Sequence, residues 1–72
     1  TQITFKIPAP ARVKIAVYNS AGQLAEVVVD EFMEAGFHTV DWRPGALASG
    51  VYFYSLWLEG ELQATRKALH LR

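Results

Sequence analysis

The stretch Gly50-Val51-Tyr52-Phe53-Tyr54-Ser55-Leu56-Trp57-Leu58 decides how this chain is read. Taken in twos, one parity carries Tyr52, Tyr54, Leu56 and Leu58; the other carries Val51, Phe53, Ser55 and Trp57. A half-buried strand is apolar on one parity and polar on the other. Here both are apolar. The more regular set, Tyr52, Tyr54, Leu56 and Leu58, is assigned to an inter-sheet core with Trp42, Val40, Ile15 and Val17. Val51, Phe53 and Trp57 then lie on an outer face, and Gly50 turns the chain from a loop into the strand.

Alternation recurs on both sides of this stretch. Ile3, Phe5 and Ile7 alternate with Gln2, Thr4 and Lys6 until Pro8 and Pro10, which cannot donate to a ladder. Val13, Ile15 and Val17 then alternate with Arg12, Lys14 and Ala16, taken as outward. Asn19 to Gly22 is a turn. A third strand follows, with Leu24 and Val27, Val28 and Val29 as candidate core. Asp30 to Gly36 (DEFMEAG) reads as one helical turn or a loop with Phe32 or Met33 tucked under, the only segment placed to cover the outer face. His38, Val40 and Trp42 alternate with Phe37, Thr39, Asp41 and Arg43; Leu47 is a plug in the next loop. A hairpin turns at Gly60, and the last strand runs to the end of the chain. The expectation is all-β: a small antiparallel immunoglobulin-like sandwich of six to seven strands, with residues 1–72 as a single domain.

Size and composition narrow the function classes. A chain of 72 residues buries only about 60% of its unfolded surface. It has no cysteine, so no disulfide supports the fold. Seven basic and seven acidic residues cancel, which gives no general attraction to nucleic acid. An apolar content of 51% excludes a disordered tail. No apolar run approaches the ~20 residues of a membrane-spanning helix. The chain opens directly in strand-like alternation, so an excised module with more chain ahead is expected.

Chemistry is sparse. Ser20, Ser49 and Ser55 sit beside no base at a recognisable spacing, and an enzyme is not expected. His38 and His70 are the two imidazoles; the plainer reading is two ordinary strand histidines, one of them partly buried beside Trp42. Glu26, Asp30, Glu31 and Glu34 lack the spacing of a calcium loop. No metal or cofactor is expected. Lys6, Arg12 and Lys14 would join Arg66, Lys67 and Arg72 in one positive face if the first and last strands were neighbours; edge-guarding charge is the plainer reading. Most aromatics must fill the core, but an outward Phe53 or Trp57 would make an exposed aromatic patch able to stack on a sugar.

The ordered set Val17-Tyr18, Gly22, Gly36-x-His38-x-Val40-x-Trp42, Leu47, Gly50-Val51-Tyr52-Phe53-Tyr54-x-Leu56 and Lys67-x-Leu69 resembles the C-terminal sorting domains of the type IX (Por) secretion system. It also resembles the related immunoglobulin-like domain of flagellar hook-capping proteins. The likeness runs through nearly all 72 residues. Arg43 and Pro44 enter a shorter loop than the hook-capping branch carries, which favours the sorting branch. The resemblance implies a β-sandwich fused behind an N-terminal cargo domain in a secreted protein of Bacteroidota-type bacteria. Such a protein passes through the periplasm to the cell surface. The implied partners are the secretion machinery and a sortase of the outer membrane. The implied recognition residues are Gly50, Tyr52, Lys67, Ala68, Leu69, His70 and Leu71. An edge-strand dimer is a further expected partner state. The rival reading is an accessory module of a surface enzyme, either a spacer or a carbohydrate binder. For Leu69 and Leu71 the competing interpretation is simple core packing.

Overall fold

The computed structural model describes residues 1–45 and 47–71. Its six strands are β1 (Gln2–Ile7), β2 (Ala11–Asn19), β3 (Leu24–Met33), β4 (Gly36–Asp41), β5 (Gly50–Leu58) and β6 (Glu61–His70). They form two antiparallel sheets: a small one, β1-β4, and a large one, β3-β2-β5-β6. The small all-β sandwich expected from the alternation is the fold observed. Connections β1–β2, β3–β4 and β4–β5 each cross between sheets, as in immunoglobulin-like domains.

The core lies where the small sheet covers the large one. Ile3, Phe5 and Ile7 face Val13, Ile15 and Val17, all buried, with Trp42, Tyr52 and Ala68. Each apolar side chain removed from water contributes roughly 1.5–3 kcal/mol. Trp42 is the largest fully buried side chain, and its indole N–H donates to Glu26 Oε1 at 3.4 Å. Leu47 packs on this core as the sequence predicts.

β5 is central, paired with β2 on one side and β6 on the other. Cross-strand partners share a face, so Val13 opposite Leu58, Ile15 opposite Leu56 and Val17 opposite Tyr54 put the regular parity inside. Tyr52 is buried, while Tyr54, Leu56 and Leu58 pack half-buried against the core.

Several expectations need correction. Asp30–Gly36 is not a helical turn, and its loop is only Glu34 and Ala35: β3 continues to Met33, and β4 starts at Gly36. Met33 does pack on the core, but Phe32 is exposed on the sheet's own edge strand, opposite Arg12, so this segment does not cover the outer face. Leu24 is 58% exposed rather than core. Register shifts in the β2–β3 ladder explain the neighbouring valines: Val28 and Val29 reach the core, whereas Val27 lies opposite Ala16 on the outside. Ala16 is outward but fully buried beneath its larger neighbours. β1 and β6 belong to different sheets, so the basic residues do not form one face.

Candidate functional site

The outer face of the large sheet carries the second parity of β5 and the residues opposite it. Val51 lies opposite Leu69, Phe53 opposite Tyr18 and Lys67, Ser55 opposite Ala16 and Thr65, and Trp57 opposite Lys14 and Leu62. Leu24 and Val27 continue the face on β3. An antiparallel sheet normally gives its solvent face polar side chains. Here Leu24, Val27, Leu62 and Leu69 are exposed large apolar residues on that one face. Exposed apolar side chains gathered on one face mark an interaction site more often than single residues scattered over the surface do.

At the centre of the face sits the one buried polar side chain among the described residues. Ser55 is buried, and its hydroxyl shares a 2.9 Å hydrogen bond with Thr65 Oγ1. The pair satisfies both hydroxyls across the β5–β6 ladder.

The residues assigned to recognition by resemblance divide between the two sides of β6. Lys67 and Leu69 point outward beside Phe53 and Val51. Leu69 is 62% exposed and Leu71, just past the strand, is 75% exposed, so neither packs in the core. Ala68 is buried against Tyr52, opposite it in the ladder. His70 pairs with Gly50 and sits half-buried, its Nε2 3.1 Å from the carbonyl oxygen of Leu47. Tyr52 is buried too, its ring edge-on to Trp42 at 5.7 Å. Ala68, His70 and Tyr52 therefore pack within the domain, whereas Lys67, Leu69 and Leu71 are turned to solvent.

At the hairpin end of the same face, a cleft of about 420 Å³ is lined by Arg12, Lys14, Asp30, Trp57, Glu59 and Gly60. Arg12 pairs with Asp30 at 3.0 Å, and the Lys14 ammonium lies 5.5 Å from the Trp57 ring centroid. No motif in the sequence announced this group, because its members come from three strands and a turn. A second, smaller groove of about 180 Å³ runs between the free edge of β1 and β6, with Ile3, Phe5, Leu56, Ala64 and Arg66 among its lining.

The imidazoles are separate. His38 stacks on Phe5 at 5.6 Å, and its Nε2 contacts the carbonyl oxygen of Glu34 at 2.6 Å. His38 is on the small sheet and His70 on the large one, and among the described residues no three potential ligands cluster for a metal ion. Arg72, expected in a basic group, lies outside the described residues. No known family model, curated protein or solved structure matches the chain.

Proposed function

We propose that the domain is a sorting module of a secreted protein, read as a folded unit by the outer-membrane machinery of type IX secretion. The observation that carries this reading is the outward, exposed end of β6. Lys67 and Leu69 stand beside Phe53 and Val51 on a face whose apolar side chains no segment of the described chain covers. β6 is also an edge strand, with one row of N–H and C=O groups unpaired by the sheet. A partner strand can add there, taking main-chain hydrogen bonds for affinity and side-chain contacts for specificity. Leu69 and Leu71 offer apolar contact and Lys67 a single charge. The buried members of the set, Tyr52, Ala68 and His70, hold β6 in place against β5 and the Leu47 loop.

The test is a secreted reporter fused ahead of the domain in a bacterium that has the type IX machinery. The parent fusion reaches the cell surface. The Lys67→Ala, Leu69→Ala pair leaves the reporter in the periplasm, while the isolated double variant keeps the parent's thermal midpoint. Normal surface delivery by a folded double variant would sink the reading.

A further inference from the structure

We propose that the cleft beside Trp57 binds a neutral, polyhydroxylated ligand, a pyranose unit of an oligosaccharide. It stands at the hairpin end of the outer face, away from Lys67 and Leu69, and does not depend on the sorting reading.

Size comes first. A cleft of about 420 Å³ falls within the roughly 300–1,000 Å³ of small-molecule sites. It is open, and Trp57 is its single aromatic wall. That ring is held in place: Tyr18 meets it edge-on at 6.3 Å between centroids.

The walls are positioned before any ligand arrives. Arg12 Nε and Nη2 both approach Asp30 Oδ1, at 3.1 and 3.0 Å, tying β2 to β3. Glu59 Oε1 accepts the backbone N–H of Arg12 at 2.8 Å, and the Glu59 N–H donates to the Arg12 carbonyl at 2.9 Å. This reciprocal pair fixes the β5–β6 turn against the start of β2.

Charge then selects the ligand class. Two cations, Arg12 and Lys14, face two carboxylates, Asp30 and Glu59. An anion or a cation meets as many repelling groups as attracting ones. An apolar ligand strips water from four charges and returns no hydrogen bonds. A sugar ring offers both halves of what is required. Its C–H face packs on the indole, its hydroxyls donate to the carboxylates, and its oxygens accept from the guanidinium and ammonium. Phe53 stands four residues along the same strand and does not line the cleft, so the platform holds one ring. Binding to one ring in an open cleft is weak, with a dissociation constant on the order of 1 mM.

The test is an amide chemical-shift titration of the domain with cello-, xylo-, manno- and chito-oligosaccharides, each to ~10 mM, about ten times that constant. At least one is expected to give saturable shifts at Lys14, Asp30, Gly60 and the Trp57 indole N–H. Trp57→Ala abolishes them. Asp30→Asn, which leaves the aromatic side of the sheet intact, weakens the affinity at least ~5-fold, the scale of a lost charge-assisted hydrogen bond. The Lys67→Ala, Leu69→Ala pair binds as the parent does. No saturable shift with any of the four sugars overturns the proposal. So does binding retained by a folded Trp57→Ala variant, or a preference for anionic polygalacturonate over all neutral sugars.

Discussion

The Tyr52 hydroxyl donates a 2.7 Å hydrogen bond to the carbonyl oxygen of Ala48, four residues earlier in the chain. The bond closes the corner through which the chain leaves the small sheet and enters β5. It matches the tyrosine corner of immunoglobulin-like sandwiches, where a tyrosine near the start of the equivalent strand bonds upstream backbone. Tyr52→Phe keeps the buried ring and loses the bond. The expected cost is about 1 kcal/mol, or roughly 4–8 °C in the melting temperature of a domain this small. An unchanged thermal midpoint would show that the corner does not depend on the hydroxyl.

Trp42 is 1% exposed and bridges the two sheets. Removing a buried tryptophan side chain costs about 3–5 kcal/mol. A core of this size supplies only ~3–5 kcal/mol in all. Trp42→Ala is therefore expected to be largely unfolded at room temperature, with amide signals collapsed into the random-coil range. Trp42→Phe is expected to stay folded, since it leaves most of the apolar contact and loses the hydrogen bond to Glu26. A well-dispersed spectrum for Trp42→Ala would contradict the assignment of this residue as the centre of the core.

Glu59 and Gly60 form the two-residue turn between β5 and β6, with φ of 50° and 80°. Two positive values in a row define the turn type whose twist matches antiparallel strands. A Cβ at Gly60 would meet nothing within 4 Å, so a side chain there is opposed by backbone strain alone. Gly60→Ala is expected to cost about 1–2 kcal/mol. The check is a lower urea midpoint with an unchanged slope; an unchanged midpoint would mean that the turn relaxes to another geometry.

Arg43 Nε donates to Asp41 Oδ2 at 2.6 Å just past the end of β4. That hydrogen bond, helped by the charge of Arg43, holds the Asp41 carboxyl below its ordinary value of 3.8. A depressed carboxyl pKa contributes stability above the unfolded value, and the contribution is lost as pH falls through the folded one. Both side chains are solvated, so the contribution is small. Arg43→Gln is expected to raise the Asp41 pKa toward 3.8 in an NMR titration. The same pKa in parent and variant would exclude Arg43 as the cause.

Leu24 and Val27 lie on the exposed outer face, on edge strand β3. Changing both to Thr is expected to shift stability by no more than about 0.5 kcal/mol each. It should raise the concentration at which the domain first associates, because a smaller apolar patch is left in water. Light scattering against concentration gives the measurement; a large drop in the thermal midpoint would mean that the face is covered from within.

The alternation in β1, β2 and β5, and that running from β4 into Trp42, was enough to name nearly all of the core cluster. Ile3, Phe5, Ile7, Val13, Ile15, Val17, Trp42 and Tyr52 all lie where their parity puts them. Period two is a local property of an extended backbone, and local properties are legible in a string of residues. The turns at Asn19–Gly22 and Gly60 were legible for the same reason: Asn19 Oδ1 accepts the N–H groups of Ala21 and Gln23, and Gly60 supplies the positive φ.

What tertiary structure alone decided was the cover over each face and the partner of each edge. Val27, Val28 and Val29 read alike in sequence, and the register shifts between β2 and β3 separate them. Leu69 and Leu71 read as core or surface with equal ease; the described residues make two sheets and no third layer, so the outer side of β6 stays bare. The Trp57 cleft was invisible because Arg12, Asp30 and Glu59 meet only when β2, β3 and the β5–β6 turn are in register. Alternation determined that Val51, Phe53 and Trp57 share one side of a strand. Only long-range strand pairing, whose energy depends on contacts distant in sequence, determined that this side faces water.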